Sequence, residues 1–194
     1  MDSRFAQPRQ RVGGSALTDL LVKRSAVISE CGTYRYELRR VWNDRLPPYV
    51  SGMLNPSTAD HEIDDPTIIR NWRRAEAVGC GSLIVWNLGA ARTTEPAKWR
   101  QMPDPIGPEN DDHIRRILGE CWRRSGTAVV GWGTLGSFMG RDKIARRIAA
   151  EAGVTLYCLG TTRDGQPRHP LYIANAQPLL KWRNDQSFNG TLAT

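Results

Sequence analysis

At 194 residues with 40% hydrophobic content, the chain suits one domain with its own core, since single domains commonly run to ~100–200 residues. Its formal charge of +7 favours a polyanionic partner, because neutralising phosphates releases condensed counterions. The longest apolar stretches fall far short of the ~20 residues of a membrane span and no charged-then-apolar leader opens the chain, so a cytoplasmic protein without a membrane partner is expected.

In chain order, residues 1–20 begin with MDSRFAQPRQRVGGS, a basic stretch lacking the apolar surface that would offset its ordering entropy; a mobile arm is expected. TYRYELRRVW, from Thr33 to Trp42, alternates in part, NDRLPP turns, and YVSGML follows, which predicts a strand pair at the start of the sheet. Asp64, Asp65 and Pro66 open a helix with Ile68, Ile69, Trp72, Ala75 and Ala77 as its apolar face; Arg70, Arg73 and Arg74 beside it form either a solvated face or a phosphate contact. Asp60, Asp64 and Asp65 could supply a base or a metal ligand, but as helix-start acids before Pro66 they have a complete structural explanation; Asp60 is near enough to Asn55 to assist it.

SLIVWNLGA is then a continuously apolar strand ending at Asn87, and EPAKWRQM a short segment. A helix is predicted from Asn110 to Arg124, TAVVGWG as a strand, residues 133–153 as one helix closed by Gly153, and VTLYCLG as a further strand. Strands apolar on both faces that alternate with helices indicate a parallel sheet covered on two sides. The expected fold is a three-layer α/β/α domain over residues 21–185, with a mainly parallel four-stranded central sheet, an N-terminal strand pairing and a tail at 186–194.

The four cysteines, Cys31, Cys80, Cys121 and Cys158, are far apart in the sequence and lack the close pairs of zinc or iron–sulfur sites. Buried thiols are expected, with no metal and no cofactor. Seven tryptophans offer faces for base stacking, although core positions account for most of them.

Ligands of open α/β folds bind outside the carboxyl ends of the strands. Polar residues fall at those ends: Asn55 in MLNPSTAD, Asn87 in WNLGA, Thr134 in GWGT, and His169 in RHPLY. Each has a plainer role open to it, as turn residue, strand-end amide, helix cap or buried structural histidine.

MLNPS resembles the first motif of the uracil-DNA glycosylase superfamily, in the Asn-Pro version of its mismatch-specific and thymine-DNA glycosylases. RHPLY is similar to the superfamily's His-Pro motif, and VVGWGTLG to the Trp-Gly segment between them. Order and spacing agree over residues 48–175. The set MLNPSTAD, DDPT, NLGAARTT and GQPRHPLY resembles an uncharacterised bacterial and phage branch of that superfamily.

This resemblance implies a cofactor-free, monomeric, monofunctional DNA glycosylase acting on a base flipped from a duplex or held in single-stranded DNA. Asn55 and His169 would be catalytic. Leu54, Ser57, Asn87 and Leu88 would contact the base, and Thr58, Arg92, Thr134, Arg168, Leu171 and Tyr172 the DNA. The chemistry suits these residue types: an amide orients water without deprotonating it, and a histidine donor meets the charge developing on the departing base. Where the uracil-specific enzymes carry a tyrosine beside the base's C5 position, this chain has Ser57, which implies a roomier pocket and a C5-modified pyrimidine, removed in repair or in defence against phage. A hydrolase or transferase of free nucleosides would use the same strand ends without needing the charge. A nonenzymatic DNA-binding module would have no reason to gather Asn55, Asn87 and His169.

Overall fold

The computed structural model describes residues 22–57 and 64–182; the arm at 1–20, the tail at 186–194, Thr58 and Asp60 lie outside them. Seven strands, β1 (Lys23–Ile28), β2 (Arg35–Val41), β3 (Pro48–Met53), β4 (Ser82–Asn87), β5 (Thr127–Val130), β6 (Leu156–Cys158) and β7 (Leu180–Lys181), form one sheet in the order β1-β2-β4-β3-β5-β6-β7. The helices are α1 (Pro66–Ala77), α2 (Pro96–Trp99), α3 (Asn110–Arg123) and α4 (Arg141–Glu151). The fold is mixed α/β.

The four strands predicted to be parallel are so: β4, β3, β5 and β6 pair in parallel with one another, in that order. The sheet is wider than expected, because β1 and β2 extend one side antiparallel and β7 the other. The predicted pairing of residues 33–42 with 49–54 does not form, since β4 lies between them. Gly81, entering β4, bonds to both sides of the turn at residues 42–47: Trp42 N and Asn43 N donate to its carbonyl at 3.1 and 2.9 Å, and its own N donates to Pro47 O at 2.9 Å. The turn is thus wide enough to admit a strand. A Cβ at Gly81 would stand 2.0 Å from Asn43 O, so only glycine fits that passage. The edge strand β1, KRSAVI, alternates exposed and half-buried residues, the charged and weakly patterned type that protects sheet edges.

Alternate side chains of the central strands enter two cores. Val50, Ile84, Trp86, Ala128 and Val130 join Ile114, Ile117 and Leu118 of α3 and Ala145 and Ile148 of α4. Tyr49, Leu83, Val85 and Val129 join Ile68 and Ala75 of α1. The division follows from topology. The chain steps from β3 to β4 on one side, then back past β3 to β5 on the other. Crossovers keep one hand, so reversing the direction of winding moves the next helices to the opposite core. Such a reversal also opens a crevice at the carboxyl ends of the strands that flank it.

Two helix predictions need correction. In α1 the buried residues are Ile68, Asn71, Arg74 and Ala75, while Ile69 and Ala77 are exposed. The burial of Arg74 is offset by its hydrogen bonds, since it donates to the carbonyls of Ile173 and Ala174, both at 3.0 Å, and Arg70 also reaches Ile173 O at 2.8 Å. These arginines tie α1 to the chain after His169. The helix expected over 133–153 is broken. Thr134–Gly140 forms 3₁₀ turns, Met139 and Gly140 take positive φ (53° and 68°), and α4 starts afresh at Arg141.

Cys80, Cys121 and Cys158 are buried as expected, but Cys31 is exposed in the turn before β2. Hydrogen bonds from Ser29 and Thr33 favour its thiolate and pull its pKa down to about 7. Trp86, Trp99, Trp132 and Trp182 are core residues, whereas Trp122 is exposed. Among the described residues no helix is long and apolar enough to cross a membrane.

Candidate active site

The loops leaving β3 and β4 run side by side past the ends of their strands. Leu88 N donates to Met53 O at 2.9 Å, Gly89 N to Leu54 O at 3.0 Å and Thr93 N to Pro56 O at 3.0 Å. α3 fixes the second loop from below: Asn110, fully buried, donates through Nδ2 to the carbonyls of Asn87 and Leu88 at 3.0 and 3.1 Å. Arg141 Nε reaches Leu88 O at 2.8 Å from the start of α4. Gly131 N donates to Gly52 O at 2.8 Å, and a Cβ on Gly131 would stand 2.7 Å from Pro170 Cδ. The close packing of the Trp-Gly loop against the His-Pro turn therefore depends on that glycine.

A buried chain of side chains holds the loop before His169. Trp132 Nε1 donates to Gln166 Oε1 at 2.8 Å, and Gln166 Nε2 donates to Asp142 Oδ2 at 2.8 Å. The backbone adds Gly133 N to Pro167 O at 2.8 Å and Arg168 N to Gly160 O at 2.9 Å.

Between these loops lies a cavity of about 450 Å³, within the ~300–1,000 Å³ of small-molecule sites. Asn55, Asn87 and His169 all line it, together with Leu54, Ser57, Thr134 and Tyr172. Leu88 does not: its side chain is fully buried in the core beneath. A strand-end leucine can point either way, and the parity of β4 turns it inward. Arg92, Arg168 and Leu171 are also absent from the lining. Arg168 is exposed, Arg92 NH1 contacts Gly32 O at 3.3 Å, and Leu171 N donates to His169 Nδ1.

Asn55 is held by its amino group. Nδ2 donates to Thr93 O at 2.7 Å and Pro56 O at 3.2 Å. Only an NH₂ can satisfy two carbonyls, so the amide orientation is determined by its neighbours. Its Oδ1 is left as an acceptor with no donor among the described residues. Asn87 is only 2% exposed, lines the cavity, and its side-chain amide has no hydrogen-bond partner among the described residues. Buried polar groups are normally satisfied, so this amide offers both a donor and an acceptor to a ligand.

His169 accepts from Leu171 N at its Nδ1, at 3.3 Å. Burial lowers its pKa, with the Asp65 carboxylate opposing in part. A neutral ring with Nδ1 as acceptor must carry its proton on Nε2, which makes Nε2–H the free donor. The pH consequence has a definite sign. A histidine pKa lowered by folding favours the neutral form, so the group supports stability above the ordinary value of ~6.5 and loses that support as pH falls through the lower folded value. An NMR titration should accordingly show the His169 ring titrating below free histidine; titration at or above it would overturn the assignment of a neutral donor.

Of three further residues of the lining, Arg35 and Thr93 escaped sequence reasoning and Asp65 was set aside by it as a helix-start acid. Arg35 is buried at the start of β2, and burial, reinforced by the neighbouring Arg92, pulls its guanidinium down to about 10. Thr93 supplies the carbonyl that orients Asn55. Asp65 caps α1, Oδ1 accepting from Thr67 N and Ile68 N at 2.8 and 2.9 Å, and its Oδ2 accepts from Ser57 Oγ at 3.3 Å. Asp64, its neighbour, is committed elsewhere, to Arg40 at 2.8 Å and Arg24 at 2.5 Å.

No curated protein and no solved structure matches the chain. A family model does: residues 35–171 match the one described as protein of unknown function (DUF1643). That segment runs from the first residue of β2 to the turn after His169, and it includes every residue of the cavity lining except Tyr172. The chain therefore belongs to the DUF1643 family.

Proposed function

We propose that the protein is a monofunctional DNA glycosylase of the uracil-DNA glycosylase kind, with that superfamily's three-layer architecture, acting as a cytoplasmic monomer on a C5-modified pyrimidine. The observation that carries the reading is the grouping around one cavity of three side chains with complementary free functions. These are the acceptor Oδ1 of Asn55, the unpartnered amide of Asn87 and the Nε2–H donor of His169.

Cleavage of an N-glycosidic bond develops positive charge on the sugar and negative charge on the base. Water held by Asn55 Oδ1 meets the sugar, Asn87 pairs with the edge of the base, and His169 Nε2–H donates to a base oxygen as its charge grows. A neutral imidazole suffices for that donation, because a donor aimed at developing charge in a water-poor site is worth far more than in bulk water. Ser57, small beside Asn55, leaves space for a substituent on C5, and extrusion of the base costs a few kcal/mol that such contacts offset. The charge of +7, with exposed Arg168 and exposed Tyr172 near the cavity mouth, suits a phosphate backbone and an unstacked base.

The test is incubation with DNA carrying different pyrimidine modifications, followed by mass spectrometry of released base and alkali cleavage at abasic sites. Free base should appear with the sugar-phosphate chain intact, because among the described residues no lysine lines the cavity to form a Schiff base. Borohydride trapping of a protein–DNA adduct would refute the monofunctional mechanism. Release from free nucleosides, insensitive to salt, would favour a nucleoside hydrolase instead.

A further inference from the structure

The cavity contains a carboxylate that the mechanism above leaves unused. Among the described residues Asp65 is the one acid that lines it. An ionised carboxylate has about four acceptor positions. Three on Asp65 are filled: Thr67 N and Ile68 N occupy Oδ1, and Ser57 Oγ–H occupies one position on Oδ2. The helix cap therefore accounts for one oxygen only. The second is held in place by Ser57 and has a position to spare, on a residue that faces the cavity. Asp65 also acts electrostatically on both His169 and Arg35, which places it near the cavity's histidine and its buried arginine. The nine-tenths-buried, unpartnered amide of Asn87 in the same lining marks the space as a ligand site and not a void over a helix cap.

We infer that Asp65 Oδ2 accepts the proton of the attacking water, supplying the base that the Asn55 amide cannot be. The inference rests on the glycosylase reading. The water oxygen bonds to the sugar carbon C1′, and the C1′–N bond breaks with its electron pair leaving on the base. One water proton passes to Asp65 Oδ2, and the base anion, held by His169 Nε2–H, takes its proton from solvent. Asn55 aims the water, Asp65 removes its proton, and Ser57 keeps the accepting oxygen turned toward the cavity.

Asp65→Asn tests this without removing the cap, because asparagine and aspartate serve equally at the N-cap position. Single-turnover excision should fall by ~10²–10⁴, the usual contribution of a positioned general base, with DNA affinity and melting temperature unchanged. Asp65→Ser retains a capping hydroxyl and leaves room for a small anion, so added formate should restore part of its lost rate while doing nothing for Asn55→Ala. An active wild type with equally active Asp65→Asn would overturn the inference and leave the glycosylase reading intact. Loss of rate in both variants accompanied by a lowered melting temperature, with no rescue by formate, would also overturn it, assigning Asp65 to the cap alone. A wild type that releases no base from any modified DNA would remove the reading on which the inference rests.

Discussion

Asn55→Ala and His169→Ala should each lower single-turnover excision by ~10²–10³, the magnitude of losing one oriented electrostatic group, while DNA affinity changes little. Each side chain presents one free function to the cavity and spends the rest on its own positioning: Asn55 Nδ2 on Thr93 O and Pro56 O, His169 Nδ1 on Leu171 N. Under the proposed glycosylase mechanism the free functions would act on the attacking water and the departing base, and both interactions would strengthen in the transition state. The same geometry explains why an acid does not stand at position 55. In Asn55→Asp a carboxylate oxygen would face the Thr93 carbonyl that Nδ2 now meets at 2.7 Å, so that substitution should not raise the rate. Measurement at saturating enzyme, with binding followed separately, checks the set. Unchanged rates in both alanine variants would remove this cavity from the chemistry.

The residues that converge on the cavity are legible in the sequence where residue type and strand end coincide. Asn55, Asn87 and His169 are polar groups set where apolar runs stop, and a parallel sheet brings those stops to one edge. Arg35 was not legible in this way. β2 runs antiparallel to β4, with Leu38 opposite Val85, so it is the beginning of β2 that reaches the carboxyl edge. A search confined to strand ends passes over it. Asp65 was hidden for a different reason: helix capping is a sufficient explanation for an acid before Pro66, and only the structure shows that capping uses a single oxygen.

The outer sheet was less legible than its centre for a related reason. The buried strands β3 and β4 read as continuous apolar runs. β2 carries Glu37 and Arg39, buried or half-buried in ion pairs with Arg116 and Glu120, and its partner depends on β4 threading the turn at residues 42–47. Local pattern records neither the threading nor the ion pairs. The broken helix at 133–153 depends likewise on two residues at positive φ, Met139 and Gly140, of which only the glycine gives a signal in sequence.

Ser57→Tyr should discriminate between substrates. The new ring enters space that the small hydroxyl leaves open beside Asn55, and overpacking a close-fitting site costs ~1–3 kcal/mol, so excision of a C5-substituted base should fall by more than that of uracil or cytosine. Ser57 also donates to Asp65 Oδ2 at 3.3 Å, and Ser57→Ala isolates that loss: it removes the hydrogen bond without adding bulk and should slow both substrates by the same factor. The informative quantity is therefore the ratio of the two excision rates in wild type, Ser57→Ala and Ser57→Tyr, at saturating enzyme and with melting temperature as the control for folding. A ratio shifted against the substituted base only in Ser57→Tyr would place the C5 substituent next to residue 57. An equal loss on both substrates in the tyrosine variant would place it elsewhere in the cavity and withdraw the main support for a modified-base substrate.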